Sequence, residues 1–324
     1  MPETIKGDFE LVDLHPRLAS LQEEVLEGLR SRPRRLPPKL FYDKRGSELF
    51  EQITRLPEYY LTRTEIAILR RNVPSLASRI GSDVAIIELG SGSSTKVRIL
   101  LEALDEPITY IPIDISREHL AESAGRINDD YPSVRVVAVC ADYLDGLAIP
   151  ETGSHRRRLL FFPGSTIGNF EPDEARRFLD DCSRALRRAD LMIIGVDLVK
   201  KTSILDRAYD DSAGVTAEFN RNMLARLNRE LAADFDLDAF AHVAWYNEAA
   251  GRIEMYLESI RDQTIHCAGE SFELAAGERI HTENSYKYSV DAFHELLKET
   301  RFRPSEVWID EGKLFSVHVL EVSG

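Results

Sequence analysis

Hydrophobic and polar positions follow one repeating pattern between residues 84 and 198. Short apolar runs, rich enough in Val, Ile, Leu and Phe to be buried on both faces, recur at intervals of roughly 25–30 residues. The segments between them carry apolar residues three or four positions apart, as amphipathic helices do. This alternation predicts an α/β fold with a doubly wound parallel sheet. The apolar runs are residues 84–89, 108–114, 134–142, 158–164 and 190–198.

The pattern changes after residue 200. Residues 207–235 have helical spacing, and strand-like runs follow on both sides of a turn at residues 249–251. Two further strand candidates precede an amphipathic helix in residues 290–300, and a strand pair follows it. We expect this last helix and hairpin to add antiparallel strands to the edge of the parallel sheet.

The N-terminal arm has a pattern of its own, with helical segments on either side of a proline-rich crossing. Because the sheet strands begin well downstream, we expect this arm to pack with the inserted segment as a second lobe. The sequence therefore predicts a sheet domain of residues 61–201 and 286–324 and a lobe of residues 1–60 and 202–285. A cleft between two lobes is the default place for a ligand.

The charge balance argues against nucleic-acid binding. The 324 residues contain 41 Lys and Arg against 55 Asp and Glu, a formal net charge of -14. A nucleic-acid footprint requires a basic face, and the basic cluster at residues 154–158 is typical of a solvated turn. We expect no nucleic-acid partner.

Cysteine and histidine spacing predicts neither disulfides nor a metal site. Cys140, Cys182 and Cys267 lie far apart and form no CxxC pair, and the eight histidines, His15 among them, form no HxH or HExxH. The chain also lacks an apolar stretch of membrane-spanning length and a leader-like start. We therefore expect a reduced, soluble, cytoplasmic protein without a membrane segment.

A glycine turn follows the first apolar run. Glu88, Gly90 and Gly92 form an ExGxG pattern, but Thr95 stands where a dinucleotide fingerprint has its third glycine. The turn therefore suits a cofactor without a pyrophosphate and with a cationic amino-acid end. At this point the chain resembles the Rossmann-like class of S-adenosylmethionine-dependent methyltransferases.

Acidic residues end the next two predicted strands. Asp114 comes 22 residues after Gly92, where a carboxylate can accept hydrogen bonds from both ribose hydroxyls. Asp142 can accept a hydrogen bond from the adenine amine, while the ring of Tyr143 covers the base. Each aspartate alone could cap a helix. Their positions at successive strand ends favour an S-adenosylmethionine site.

Longer motifs extend the resemblance from about residue 10 to residue 324. The stretches "FYDKRGSELFEQITRLPEYYLTRTE", "IIELGSGSSTK", "PGSTIGNF", "DLVKK", "RAYDD" and "IHTENSYKYS" closely resemble the L-histidine Nα-methyltransferases of ergothioneine biosynthesis. The resemblance implies a Rossmann-like class I methyltransferase sheet with a second α+β substrate-binding lobe. It also implies transfer of three methyl groups to L-histidine, giving hercynine, by a protein that we expect to be monomeric.

The same resemblance assigns polar contacts to both ligands. Asn169 and Tyr209 would hold the substrate carboxylate, and Glu283 and Ser285 would recognise the imidazole. A carboxylate facing an imidazole N–H discriminates against side chains that lack this donor. The implied cofactor contacts are Gly90, Gly92, Lys96, Asp114, Asp142 and Tyr143.

Five further positions would complete the substrate site by resemblance. Tyr59 would place the amino group, and a water beside Tyr59 or Tyr42 would take the proton that leaves before each transfer. Tyr42 and Phe50 would wall the site, Met255 would line the side-chain pocket, and Gly164 would let the backbone approach the ligands.

Simpler interpretations stay open for these residues. The aromatic residues Tyr42, Phe50 and Tyr59 could be packing groups. Asn169 could cap the following helix, and Glu283 could be a solvated charge on a strand. Three other functions also remain: a related enzyme acting on tryptophan or a prenylated indole, a silent S-adenosylmethionine sensor, and an NAD-dependent oxidoreductase.

Overall fold

A computed structural model of the protein divides the chain into two units, here called the sheet unit and the second unit. The sheet unit comprises Met1–Pro16, Leu61–Val199 and Lys287–Gly324, and the second unit comprises Arg17–Tyr60 and Lys200–Tyr286. The structure describes residues 3–6, 9–14, 18–92, 94–144, 146–147, 149–150 and 152–323.

The strands of the described residues are numbered β1 to β15 in chain order. They are Glu3–Lys6, Glu10–Asp13, Arg34–Arg35, Val84–Leu89, Ile108–Asp114, Arg135–Cys140, Arg157–Phe162, Leu191–Asp197, Phe240–Asn247, Arg252–Ser259, Gln263–Cys267, Glu270–Leu274, Arg279–Tyr286, Phe302–Ile309 and Phe315–Val322.

The α-helices of the described residues are numbered α1 to α9, and three short 3-10 turns accompany them. The helices are Leu18–Arg30, Lys44–Ile53, Tyr60–Ile80, Val97–Ala103, Arg117–Asp130, Pro172–Ala185, Thr202–Tyr209, Val215–Glu230 and Val290–Leu296. The 3-10 turns are Pro38–Phe41, Thr166–Asn169 and Leu237–Ala239.

One mixed sheet forms the sheet unit, in the order β1-β2-β6-β5-β4-β7-β8-β15-β14. Strands β2, β6, β5, β4, β7 and β8 pair in parallel, whereas β15 pairs antiparallel with β8 and with β14. The predicted parallel strands and the antiparallel C-terminal hairpin are therefore confirmed. Strand order reverses around β4, and ligands of open α/β sheets bind at such a point, outside the carboxyl ends of the strands.

Uninterrupted apolar runs form the centre of this sheet. Every residue of β4 and of β8 is buried, as expected for strands covered on both faces. Large rings fill the same layer, since Tyr110, Phe161 and Phe315 have no exposed surface. Burial on both faces explains why these strands lack the alternation of a half-exposed sheet.

The start of the chain differs from the sequence-based expectation. Residues 1–60 were expected in the second lobe, yet β2 pairs in parallel with β6 and β1 extends the same sheet. Leu11 and Asp13 of β2 are both buried, and Asp13 forms an ion pair of 3.0 Å with Arg117. A four-residue strand carries too little periodicity to reveal that it covers a sheet edge.

The sheet unit holds together the two chain segments that lead into and out of residues 200–286. Leu198 and Tyr288 form an isolated parallel bridge. Directly beside them, Lys287 Nζ lies 2.9 Å from Asp197 Oδ2, and neither side chain is exposed. A buried ion pair demands close partners, so these contacts fix the two segments side by side.

The second unit contains a four-stranded sheet in the order β3-β13-β10-β9 and the separate hairpin β11-β12. The expected strand pair around residues 249–251 is confirmed as β9 and β10, whereas β12 escaped sequence-based prediction. Helices α2 and α8 contribute an aromatic core to this unit. This core includes the stack of Phe41, from the 3-10 turn Pro38–Phe41, on Phe219 of α8, with ring centroids 4.5 Å apart.

Candidate active site

The glycine turn of the sheet unit follows β4 directly. Gly90 and Gly92 have φ angles of +67° and +47°, which favour residues without a Cβ. The Gly90 amide donates a hydrogen bond of 2.8 Å to the carbonyl of Ile113, and the Gly92 amide donates one of 3.2 Å to Asp114. The turn after β4 is thus bonded to the end of β5. Ser93 lies outside the described residues.

Asp114 is placed to accept further hydrogen bonds at the end of β5. Its Oδ2 accepts the Gly92 amide, and its Oδ1 accepts the Ser116 amide at 2.9 Å. Burial raises the pKa of this carboxyl above its usual value, against the effect of the two amides. A carboxylate has about four lone-pair sites, so two amides leave capacity for a pair of ribose hydroxyls.

Glu88 is linked through Tyr110 to Ser94, which follows the glycine turn. Its carboxyl is 2% exposed and accepts a hydrogen bond from the Tyr110 hydroxyl, which in turn lies 3.2 Å from Ser94 Oγ. Burial raises the pKa of Glu88 to about 8. The acidic residue of the ExGxG pattern is therefore held in surroundings that favour its protonated form, and it accepts a hydrogen bond from Tyr110.

Asp142 and Tyr143 follow β6. Asp142 Oδ1 accepts the amide of Leu144 at 3.0 Å, which closes a local turn. A Cβ added to Gly90 would lie 3.7 Å from the Tyr143 hydroxyl, so the tyrosine reaches the glycine turn. Its ring also meets Phe162 edge-on, with centroids 6.0 Å apart. The structure thus brings Tyr143 to the turn that follows β4.

The sixth cofactor candidate, Lys96, reaches a residue that sequence reasoning missed. Its ammonium lies 2.5 Å from Glu65 Oε2, and both oxygens of Glu65 accept the Gly164 amide at 3.0 Å. Glu65 belongs to α3 and is 1% exposed. The signal for it in the sequence is weak, because a single acidic residue in an amphipathic helix normally faces water.

The loop after β7 carries Asn169 at the end of a 3-10 turn. Asn169 does not cap the following helix, because Glu171 occupies the N-cap and its amide donates to Glu174 at 3.0 Å. The loop is fixed at Ser165, which has a φ of +61° and accepts the Asp197 amide at 2.8 Å. The helix-cap interpretation of Asn169 is therefore wrong.

In the second unit, four aromatic candidates form a continuous row. Ring centroids are 6.1 Å apart for Tyr42 and Phe50, 6.3 Å for Phe50 and Tyr59, and 6.4 Å for Tyr59 and Tyr209. All three pairs are edge-to-face, a favourable geometry for aromatic rings. The row ends at the Tyr209 hydroxyl, 2.9 Å from Ser285 Oγ.

Glu283 and Ser285 lie two positions apart on β13 and therefore on the same face of the strand. Met255 of β10 is the register partner of Glu283. The three side chains are buried, with Glu283 only 8% exposed. The alternative that Glu283 is a solvated strand charge is therefore wrong.

His242 of β9 supports Tyr209 and was not identified from the sequence. The Asn220 side-chain amide donates to His242 Nδ1 at 2.9 Å and to the Tyr256 carbonyl at 3.0 Å. This assigns the other ring nitrogen, Nε2, as the donor to the Tyr209 carbonyl, 2.9 Å away. Burial lowers the pKa of His242, which keeps the ring neutral.

Asp43 anchors the loop that carries Tyr42. Its carboxylate accepts the Gly46 amide at 2.7 Å, Asn222 at 2.8 Å and Arg229 at 2.7 Å, so it joins the start of α2 to α8. Burial alone would raise the pKa of Asp43, but the Gly46 amide and Arg229 outweigh it and lower this pKa.

Neither metal ligands nor membrane segments stand out in the described part of the chain. No group of three or more His, Cys, Asp or Glu side chains there could hold a metal ion, and His15 lies outside it. Within the same residues, no helix is both long and apolar enough to cross a bilayer. Cys140, Cys182 and Cys267 are free and buried.

Comparison with known proteins identifies relatives that cover most of the chain. Two relatives are named histidine N-alpha-methyltransferase. That of Mycolicibacterium smegmatis is 46% identical over 90% of this chain and 91% of its own length, and that of Mycobacterium tuberculosis is 44% identical over 92% and 94%. A 4-dimethylallyltryptophan N-methyltransferase of Claviceps purpurea is 27% identical over 94% and 95%.

Structural similarity supports the fold. A crystal structure of an S-adenosylmethionine-dependent methyltransferase from Clostridium acetobutylicum covers 86% of this chain and 99% of its own, with a TM-score of 0.50 and 12% identity. The model of the family described as histidine-specific, S-adenosylmethionine-dependent methyltransferases matches residues 21–322. The chain belongs to this family of histidine-specific methyltransferases.

Proposed function

We propose that the protein transfers three methyl groups from S-adenosylmethionine to the α-amino group of L-histidine and releases hercynine, a step of ergothioneine biosynthesis. The observation that carries the proposal is the buried pair on β13. Glu283 and Ser285 share one strand face, and Ser285 is bonded to Tyr209. A fixed carboxylate beside a hydroxyl is a selective receptor for an imidazole N–H and its second ring nitrogen.

The sheet unit supplies the groups that would hold the methyl donor. Asp114 has acceptor capacity left for ribose hydroxyls, Tyr143 offers a ring for adenine, and Asp142 offers an acceptor for its amine. The Lys96 ammonium suits the carboxylate of the amino-acid end. When bound, S-adenosylmethionine supplies a methyl group on a sulfonium, which is already a good leaving group.

The second unit supplies the contacts to the histidine side chain in this proposal. Tyr209 would bind the carboxylate, while Glu283 and Ser285 would bind the imidazole. The hydrogen bond between Tyr209 and Ser285 supports a rigid link between the carboxylate contact and the imidazole contacts. A substrate held at both ends can expose its amine to three successive transfers while its anchors stay in place.

Catalysis then depends mainly on placement. Holding a neutral amine in line with the methyl group, at about 3–3.5 Å, can contribute roughly 7–11 kcal/mol. The hydroxyls of Tyr42 and Tyr59 would hold the water that takes the proton before each transfer. Aromatic faces stabilise a cation by about 0.5–2 kcal/mol, so the row of rings suits the growing quaternary ammonium.

Product analysis tests the function. The purified chain is incubated with S-adenosylmethionine and L-histidine, and the product is examined by mass spectrometry. We expect trimethylated histidine. Exclusive methylation of tryptophan or 4-dimethylallyltryptophan would favour the second candidate, which the 27% identical relative from Claviceps purpurea suggests. Calorimetric binding of S-adenosylmethionine without turnover of any amine would identify a sensor instead.

We further propose that the protein acts as a cytoplasmic monomer. Its three cysteines are free and buried, which suits a reducing compartment. A single species of 36.7 kDa in light scattering would support the monomer. A mass of twice this value or more would contradict it, and recovery outside the cytoplasmic fraction would contradict the compartment.

A further inference from the structure

Glu65 joins two loops that carry candidate ligand contacts. It lies on α3 and reaches Lys96 after β4 and Gly164 after β7. These loops are more than sixty positions apart in the chain but neighbours in the sheet. A Cβ added to Gly164 would lie 3.4 Å from Lys96 Nζ, so the ammonium and this backbone position are adjacent.

The surroundings of Glu65 are built for a charged carboxylate. A buried carboxylate is costly unless it is paired and hydrogen-bonded. Here the ammonium of Lys96 supplies the opposite charge, and the Gly164 amide faces both oxygens. Strand β8 leaves space for it, because a Cβ at Gly195 would lie 2.0 Å from Glu65 Oε1.

We propose that Glu65 is a positioning residue for S-adenosylmethionine, a role that rests on the proposed contact of Lys96 with the amino-acid end of this cofactor. Its carboxylate holds the Lys96 ammonium and the backbone at Gly164 as one rigid group before the cofactor arrives. A pre-placed ammonium does not have to be ordered when the cofactor binds, which strengthens the association. Glu65 is 1% exposed and acts through its two partners.

The charge of Glu65 should affect the binding of the cofactor and of its product to different extents. S-adenosylmethionine carries one net positive charge, whereas the product S-adenosylhomocysteine carries none. Without Glu65, the charge of Lys96 is uncompensated and repels the positively charged cofactor more than the neutral product. Substitution of a residue that only stabilises the fold would lower the affinity for both ligands by the same factor.

The test compares the affinities of the two ligands for the full-length chain. Glu65→Gln keeps the shape of the side chain and removes its charge. We expect the Kd of S-adenosylmethionine, measured by calorimetry, to rise about tenfold and that of S-adenosylhomocysteine about threefold or less. The matched control Glu299→Gln removes one exposed charge from the same unit and should leave both Kd values unchanged.

Two more variants separate charge from geometry. Gly195→Ala keeps the charge but displaces the carboxylate, so both Kd values should rise by similar factors. The double variant Glu65→Gln/Lys96→Met removes both charges and should return the ratio of the two Kd values to that of the wild type. A ratio unaltered in Glu65→Gln would overturn the proposal.

If Glu65→Gln does not fold, Glu65→Asp decides the question, since it keeps the charge but shortens the side chain by one methylene. The proposal requires weaker binding of both ligands, and unchanged binding would refute it. Because no histidine is present in these measurements, they separate the role of Glu65 from the proposed substrate. A chain that fails to methylate histidine can still show the Glu65 effect, and the reverse also holds.

Discussion

Tyr209 and Ser285 share a hydrogen bond of 2.9 Å that joins the last residue of α7 to β13. Both side chains are buried. The bond connects a residue assigned to the substrate carboxylate with one assigned to the imidazole. The two ends of the amino acid are therefore expected to be recognised together.

A double-mutant cycle tests this coupling. Tyr209→Phe and Ser285→Ala should each raise the KM for histidine about five- to tenfold, because each removes one hydrogen-bonding group from the site. Their combined effect should be smaller than the sum of the two by about 0.5–1.5 kcal/mol, the net value of the shared bond. Additive effects in steady-state kinetics would contradict the coupling.

Removal of the buried carboxylate on β13 should affect the substrate far more than the cofactor. Glu283→Gln keeps the side-chain shape but loses a charge-assisted hydrogen bond, so we expect the KM for histidine to rise roughly 10- to 100-fold. The Kd of S-adenosylhomocysteine should not change. Glu258→Gln, at a surface ion pair of the same sheet, is the control. An unchanged KM would exclude Glu283 from the imidazole site.

His242 should influence histidine binding without touching the substrate. His242→Ala removes the donor to the Tyr209 carbonyl and leaves the buried Asn220 amide without one acceptor. We expect kcat/KM for histidine to fall about tenfold, while the affinity for S-adenosylhomocysteine stays unchanged. The control is His266→Ala, at an exposed pair with Asp234. Equal losses for both ligands would indicate a general defect in folding.

Acid should destabilise the sheet unit through a pair of histidines. His318 is fully buried, with Nδ1 3.1 Å from His294 Nε2 and Nε2 2.9 Å from Ser316 Oγ. Burial, reinforced by His294, lowers the pKa of His318 from 6.5 to about 3. The unfolded chain therefore binds this proton at a higher pH than the folded chain, and stability falls as pH drops from 6.5 towards 3.

Between pH 6.5 and 5 the loss should be about 1.6 kcal/mol, because the unfolded histidine is half protonated at pH 6.5 and the slope approaches about 1.4 kcal/mol per pH unit only below it. Urea unfolding across this range measures it. His318→Gln is expected to be less stable at neutral pH but to lose less stability on acidification. A variant with the same pH dependence as the wild type would show that other groups control acid unfolding.

Sequence periodicity predicts the strands from β4 to β8 and the C-terminal hairpin, but it does not reveal β1 and β2 at the edge of the same sheet. Parallel strands place their carboxyl ends on the same edge, so Asp114 and Asp142 could be assigned together before any coordinates were known. The four residues of the aromatic row were each named by resemblance, but their arrangement as a row was not predicted. The edge-to-face geometry of these rings depends on distant parts of the chain and could not be predicted from the sequence.

Supporting residues could not be recognised in this way. Glu65 and His242 are ordinary polar residues of a helix and a strand, and their importance arises from burial beside Lys96 and Tyr209. Burial of a lone polar side chain leaves no periodic trace in a sequence. The same limit explains why a cap of α6 at Asn169 stayed open as an alternative from the sequence, although Glu171 provides the cap.

The side-by-side pairing of Leu198 with Tyr288, reinforced by Asp197 and Lys287, has a consequence for the modularity of the chain. The chain leaves the sheet unit before residue 200 and re-enters it after residue 286, and these two crossing points lie side by side. An insert with neighbouring ends can be lengthened, shortened or exchanged without rerouting a strand of the sheet. Such a layout lets the larger of the two segments of the second unit diverge in length and sequence while the sheet keeps its strand order, with Arg17–Tyr60 as the segment that has to change along with it.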